Sequence, residues 1–374
     1  TASTVTVEAA KGYFINTTSN ACTITLPSSA EAGDQIILVD YARTWGTNAI
    51  TIDSNGLNFQ GEPDTYTVDY DTAGQRLNLV YSGATVGWTP SSDIVNALEP
   101  VAPTIQKAIF GYGKTSSDVS LTNLVNSSGV VATDVTGVGT ARNNLAASSY
   151  GGDKAIFGYG RTSTQVSMTN LVNNSGVVAT DVSGVGTARQ SLAAASYGGD
   201  KAIFGYGTDS SLTNLVTNQG VVGNDVSGVG TARNDLAAAS YGGDKAIFGY
   251  GYYYSGGVVN YSLTNKVSNS GVVASDTTGV GTARYLLAAA GYGGDKAIFG
   301  FGTTGSVTGL TNLVSNTGVV AANVSAVGTA RKGLAAAGYG GDKAIFGYGT
   351  TGSLTAITNL VNSSGVVASD VSGV

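Results

Sequence analysis

Tyrosine is the residue this chain concentrates where chemistry could happen: Tyr252, Tyr253 and Tyr254 stand in succession, and Tyr261 follows shortly after. A tyrosine ring offers a flat apolar face and a hydroxyl at its tip. Clustered rings can therefore stack on sugar faces while the hydroxyls still hydrogen-bond. These four are the candidate ligand-binding residues. A plain insertion with stacked tyrosines and no ligand is the competing reading, and the sequence leaves the two level. Other chemistry is thinly supplied. Histidine is absent, Cys22 is the single cysteine and Met168 the single methionine. Zinc sites, Cys–His dyads and Ser-His-Asp triads cannot be assembled from that set within the chain. No catalytic residue, metal ligand or cofactor is assigned, and the chain is read as not an enzyme. Cys22 alternates with Ile24 and Leu26 and reads as a buried small hydrophobe, with no adjacent cation to lower its pKa. Asp53-Ser-Asn55-Gly56 opens like a calcium loop, yet no glutamate closes it. An Asn-Gly turn accounts for it more simply.

The tyrosines interrupt a repeat. Lys-Ala-Ile-Phe-Gly-aromatic-Gly recurs six times, with its phenylalanine at Phe110, Phe157, Phe204, Phe248, Phe299 and Phe346, at intervals of 47, 47, 44, 51 and 47 residues. Such a period belongs to propellers and related arrays, whose units bury their apolar faces only by stacking on neighbours. The 51-residue interval holds the tyrosines. Six near-copies bring like residues together six times, so the chain reads first as architecture.

Within one cassette, from Arg189 to Arg233, Leu192-Ala-Ala-Ala-Ser-Tyr197 is a first strand, Gly198-Gly199-Asp200 a turn and Lys201-Ala-Ile-Phe-Gly-Tyr206 a second strand. Leu212-Thr-Asn-Leu-Val216 is a third, and Val221-Val222 opens a fourth after Asn218-Gln-Gly220. Four short antiparallel strands make one propeller blade. The alanine run is too short for an isolated helix, which needs ~12 residues. Its small side chains suit the crowded innermost strand, with Leu145, Leu192, Leu236, Leu287 and Leu334 at equivalent positions there. That segment occurs five times and the other strands six. A further Gly-Thr-Ala-Arg–Leu-Ala-Ala-Ala segment beyond Val374 is expected to complete the first blade. The arginines Arg142, Arg189, Arg233, Arg284 and Arg331, and the acids Asp134, Asp181, Asp225, Asp276 and Asp370, recur in register. They read as blade-junction residues rather than a ligand-binding ring. The acids of the Gly-Gly-Asp-Lys turns read as turn-formers.

The first ninety residues differ. All five prolines precede the repeats, and period-2 runs such as Cys22-Thr-Ile24-Thr-Leu26 and Leu77-Asn-Leu79-Val-Tyr81 point to about seven short strands. Residues 1–89 form an N-terminal β-domain, 90–104 a proline-containing linker and 105–374 the repeat region. The order Gly12-Tyr13-Phe14, Thr23-Ile24-Thr25-Leu26-Pro27, Ala32-Gly33-Asp34, Asn55-Gly56, Gln60-Gly61 and Gly87-Trp88 resembles a β-domain of bacteriophage tail fibres and other virion appendages. That resemblance implies a structural module that is often trimeric. From about residue 105 onward, Ala-Arg, the Leu-Ala strand, a turn and Ala-Ile-Phe-Gly-Tyr-Gly resemble the kelch repeat. The chain departs from kelch in carrying Gly-aromatic-Gly after the second strand, where kelch has Gly-Gly. It also has no Tyr/Trp pair, since both tryptophans, Trp45 and Trp88, lie in the first domain.

Bulk composition narrows the partners. Of 374 residues 55 are glycine, 42% are hydrophobic and only 11% charged, with net charge −6. A basic surface for phosphates is missing, which argues against nucleic acid. No run of 18 apolar residues exists for a membrane-spanning helix. The expected fold class is all-β: a small β-domain plus a kelch-like propeller of about six four-stranded blades. The expected role is a non-enzymatic virion appendage protein on the particle surface. It would self-associate as a homotrimer, bind other virion proteins and attach to a host-surface glycan or protein. The alternatives are a secreted bacterial adhesin and an extracellular glycan-degrading propeller enzyme, whose paired acids would work without histidine.

Overall fold

In a computed structural model, residues 3–64, 68–91, 107–325 and 327–373 are described. The chain is all-β, with no helix among those residues. It divides into two compact units, Thr1–Ile105 and Gln106–Val374. The expected linker lies largely outside the described residues, as does the first part of the Tyr66–Val68 run.

In the first unit the chain changes sheet at each of its first four strand-to-strand steps. One sheet has the order β1 (Thr4–Thr6), β3 (Cys22–Thr25), β5 (Ile50–Asp53), β6 (Val68–Tyr70). The other runs β2 (Lys11–Ile15), β4 (Gln35–Asp40), β7 (Arg76–Tyr81), β8 (Trp88–Pro90). Because neighbours in a sheet are then two steps apart in sequence, β1–β3, β3–β5 and β2–β4 pair in parallel. The alternation is the cause of the core: Ile24, Leu26, Ile36, Leu38, Leu77 and Leu79 are wholly buried with Trp45 and Trp88. Pro90 is the last residue of β8, opposite Leu79, so the unit's final strand runs one residue past the expected boundary. Asn55 and Gly56 both take positive φ, as the Asn-Gly reading requires. Asp53 is occupied by that turn: it accepts from the Asn55 amide at 3.0 Å and the Thr25 hydroxyl at 3.0 Å. Cys22 is buried, and burial pushes its thiol pKa up.

The second unit is a run of small antiparallel sheets. The first cassette has two strands, β9 (Ala108–Lys114) and β10 (Asp118–Val125). The second has β11 (Ala146–Tyr150), β12 (Lys154–Gly158) and β13 (Thr169–Val172); the third β14 (Ala193–Tyr197), β15 (Lys201–Gly205) and β16 (Thr213–Val216). The fourth has β17 (Ala237–Tyr241), β18 (Lys245–Gly249) and β21 (Thr264–Val267), with a hairpin β19 (Tyr252–Tyr254) and β20 (Val258–Asn260) inserted. The fifth has β22 (Ala288–Tyr292), β23 (Lys296–Gly300) and β24 (Thr311–Val314), and the sixth β25 (Ala335–Tyr339), β26 (Lys343–Gly347) and β27 (Thr358–Val361). Register is the same in each: the first alanine of the Ala-rich strand faces the glycine that ends the second strand, as Ala193 faces Gly205.

Two expectations need correction. The sheets have three strands, not four, and the first has two. The Val-Val segment meets the third strand only at single bridges, Val172 with Val178 and Thr169 with Val182 in the second cassette. Between them the chain bows out, and a side chain replaces the missing ladder. Asn170 donates to the Ala179 carbonyl at 3.0 Å and to Asp181 at 2.9 Å. The expected inner-strand leucines also shift: each immediately precedes its strand, which starts at the following alanine.

Glycine and phenylalanine join the cassettes. A Cβ on Gly158 would lie 2.6 Å from the Phe204 ring of the next cassette, and Gly205, Gly249 and Gly300 are crowded in the same way by Phe248, Phe299 and Phe346. The aromatic after each glycine packs on the same ring, as Tyr159 does on Phe204 at 5.2 Å. To reach it, all six aromatics adopt positive φ, from Tyr112 to Tyr348, a region non-glycine residues rarely occupy. Gly347 in turn is crowded by Phe110 of the first cassette. The order of packing therefore returns to its start.

Candidate binding site

The recurrent arginines are junction residues. Arg142, Arg189, Arg233, Arg284 and Arg331 are all essentially without solvent exposure. Arg142 lies over the Tyr112 ring of the preceding cassette, 4.3 Å from its centroid, and its Nε donates to the Tyr159 carbonyl of its own. Each guanidinium thus clips one cassette's aromatic to the next cassette's backbone, which suits a flat, weakly hydrated cation. Burial lowers the Arg142 pKa and raises those of Tyr159 and Tyr206 to about 12. The recurrent acids hold the entering chain: Asp181 accepts from the Thr140 amide at 3.1 Å and its hydroxyl at 2.6 Å. Partial burial works to raise the Asp181 pKa, but the bonds from Thr140 and Asn170 outweigh it and hold the carboxyl below its usual value. The guanidiniums are shut away from solvent, with Nη2 of Arg142, Arg284 and Arg331 and Nε of Arg233 left without a hydrogen-bond partner among the described residues, so the junctions are packed interior rather than a surface open to a ligand.

The tyrosine insertion elaborates a loop that every other described cassette keeps short. In the second, fifth and sixth cassettes that loop closes with a single bridge, Arg161 with Gln165, Thr303 with Val307 and Thr350 with Leu354. In the fourth, the bridge becomes three rungs: Tyr252 opposite Asn260, Tyr253 opposite Val259 and Tyr254 opposite Val258. Gly256 at the tip takes positive φ. The Tyr261 amide donates to the Gly251 carbonyl at 2.8 Å, closing the base as Val166 does on Gly160 in the second cassette. Side chains alternate across a strand, so Tyr252 and Tyr254 share one face and Tyr253 lies on the other. The four candidates do not form a single patch. Tyr254 is 60% exposed with Val258 and Val259 beside it, while Tyr252, Tyr253 and Tyr261 are half-buried.

Three further residues assemble at the hairpin base. Tyr285 packs its ring on Tyr252, 4.9 Å between centroids and tilted by 59°. Asn234 exchanges both backbone hydrogen bonds with Tyr252, while its side chain accepts from the Asp209 amide at 2.9 Å and donates to the Asp209 carboxylate at 2.6 Å. A loop of the third cassette is thereby tied to the tyrosine of the fourth. Burial, then the charges of Asp235 and Asp209 and the nearby Tyr285, raise the Tyr252 pKa. Asp235 itself is pushed up by burial, partly offset by a hydrogen bond with Ser191. The signal for Tyr285 was present in sequence. It occupies the position after the recurrent arginine, where the other cassettes carry Asn143, Gln190, Asn234 and Lys332. The site is an aromatic pair beside an amide and carboxylates, suited to stacking on an apolar face and accepting from hydroxyls.

Among the described residues no group of three or more Cys, Asp or Glu side chains is placed to hold a metal ion. Among the same residues no helix is long and apolar enough to cross a membrane. In comparison with known proteins, no family model matches the chain and no curated protein matches it.

Proposed function

We propose that the chain is a non-enzymatic binding protein of the virion-appendage kind, in which a six-bladed kelch-like propeller displays one recognition hairpin. The propeller reading rests on the six cassettes of like register, each seated on the next by glycine and phenylalanine, with Phe110 seated on Gly347. Three strands and a pinned outer segment serve as each blade, except the first. The observation that carries the function is the broken symmetry: one cassette alone extends its loop into a hairpin and pairs Tyr252 with Tyr285. A scaffold has no need of such a departure, and a specific site does. The ligand is a host-surface glycan, stacked on Tyr252 and Tyr254 and hydrogen-bonded at Asp209.

Self-association through the first unit is the second part of the proposal. Phe14 and Tyr41 are 74% and 67% exposed, their rings meet edge to face at 6.4 Å, and Ile37 is also exposed. Exposed aromatics on the outer face of a sheet suit contact with further copies, and a trimer is the arrangement the virion-appendage resemblance implies. The test is glycan-array binding and cell adsorption by the full chain and by the double variant Tyr252→Ser/Tyr254→Ser. Loss of both in a variant with near-unchanged melting supports the reading, and retained adsorption refutes it. A glycan-degrading enzyme is the rival reading, favoured by the raised Asp235 carboxyl beside Tyr252. Release of reducing ends by the wild type but not by Asp235→Asn would establish that rival.

A further inference from the structure

The sixth and first cassettes meet like every other pair at Phe110, yet the seat beside β9 differs from its five counterparts. In cassettes two to six the second strand is paired on both edges. Among the described residues β9 pairs with β10 alone. Ile156, Ile203, Ile247, Ile298 and Ile345 are wholly buried, whereas the equivalent Ile109 is partly exposed. The Ala-rich strands on either side are uncovered too. Ala335 and Gly338 in β25, and Ala147 and Ser149 in β11, are exposed where their equivalents in β14, β17 and β22 are not.

Among the described residues, side-chain and backbone partners are missing at the same place. Asp181, Asp225, Asp276 and Asp370 each accept an amide and a hydroxyl from an entering threonine. Asp134 receives only the Asn123 side chain among described residues. The other five aromatics carry a guanidinium over the ring, and among the described residues Tyr348 carries none. Gly160, Gly207, Gly251, Gly302 and Gly349 are each crowded by the leucine before their cassette's first strand, while no atom of the described residues comes within 4 Å of a Cβ on Gly113. Finally, five left-handed residues form a backbone relay: Ser191 donates to Asn144, Asp235 to Ser191, Leu286 to Asp235 and Gly333 to Leu286. Among the described residues no member links Gly333 back to Asn144.

We propose that this seam is a strand-binding site. Its occupant is an extended polypeptide segment of the pattern Gly-Thr-Ala-Arg-x-x-Leu-Ala-Ala-Ala-x-Tyr. The vacancies specify that pattern position by position. Threonine meets Asp134, arginine covers Tyr348, and the second residue after it completes the relay. Leucine then fills the space over Gly113, and the alanines add antiparallel to β9 in the register of Ala239 with Ile247. Backbone pairing gives affinity and the narrow flanks select small side chains, the logic of strand addition to an open sheet edge. Residues 92–106, which lead into β9, carry neither Gly-Thr-Ala-Arg nor an alanine run.

The test uses the chain of residues 1–374 and a synthetic peptide copying Gly230–Tyr241. Saturable one-to-one binding is expected by calorimetry, with slowed hydrogen exchange in β9 and a raised melting temperature. Asp134→Ala in the chain should weaken binding about tenfold, the loss of a charge-assisted hydrogen bond. A peptide with its arginine replaced by alanine should bind more weakly too, with no change to the protein. A scrambled peptide should not bind. Absence of saturable binding overturns the proposal, as does binding indifferent to Asp134→Ala and to scrambling. Dimers of the chain that exclude the peptide would make a second copy the occupant, which also overturns it.

Discussion

The ring of Phe110 stands edge-on to that of Tyr348, 5.3 Å between centroids and 82° between planes, although one residue opens the repeated region and the other sits near its end. The same ring fills the seat at Gly347. This contact has the form of the five contacts between consecutive cassettes. If it bears equal weight, Phe110→Ala should destabilise the second unit by about 3–5 kcal/mol, as expected of a buried phenylalanine. Phe204→Ala, within the run, is the control. Urea unfolding of the two variants should give similar losses, and a Phe110→Ala loss below about 1 kcal/mol would show that the succession is open.

The hairpin separates binding from stability. Tyr254 is exposed, so Tyr254→Ser should change unfolding free energy by less than about 0.5 kcal/mol. Tyr252→Ser removes the ring contact with Tyr285 and should cost about 1 kcal/mol. Thermal melts of the two variants check the order.

Acid should loosen the junctions. Asp181, Asp225, Asp276 and Asp370 have pKa values held below the ordinary carboxylate value. A carboxyl depressed on folding contributes stability that is present above its unfolded pKa, about 4, and lost as pH falls through the folded one. Urea midpoints should therefore hold from neutrality to about pH 4 and drop below it. Asn323 fills the same position in the fifth cassette. It accepts the Thr282 amide at 3.1 Å and donates to its hydroxyl at 2.8 Å. Asp181→Asn should accordingly fold and flatten the acid limb of the curve.

Asp235 should behave in the opposite sense. Its pKa is raised on folding, so its contribution is complete below the unfolded value and is lost as pH rises through the folded one. Asp235→Asn removes that penalty and should melt higher than wild type at pH 7, the difference shrinking as pH falls to about 4.

Self-association should depend on Phe14 and Tyr41. Phe14→Ser/Tyr41→Ser in the full chain should lower the sedimenting mass without lowering the melting temperature of the second unit. An unchanged mass would exclude this face.

Much of the fold was legible because it is written six times. Phe110 to Phe346 mark a register that fixes which glycine meets which ring, and the buried arginines follow from their recurrence. The bowed fourth segment was not legible, because Val177-Val178 has the composition of a strand. Only the side chain of Asn170, which looks like an ordinary strand residue, shows where the ladder is replaced. At the candidate site the tyrosine run was visible, whereas its partners Tyr285, Asn234 and Asp209 come from three separate stretches of sequence. Their meeting depends on one cassette packing on the next, which no local pattern records. Tyr252 and Tyr253 read as one cluster in sequence because adjacency hides the two faces of a strand.

The bowed outer segment also bears on whether sheets can grow from one molecule to the next. With few charges overall and a row of exposed valines that includes Val130, Val177 and Val221, a straight outer strand in every cassette would offer other molecules a continuous line of unpaired amides and carbonyls. That is the template on which sheets grow edge to edge. Val178 and Val182 instead touch the ladder at single points, and the stretch between them follows the asparagine side chain rather than a pleat. An incoming strand finds no regular register to copy. Replacing Asn170 would remove the bonds to Ala179 and Asp181 that hold this stretch off the pleat in its own cassette.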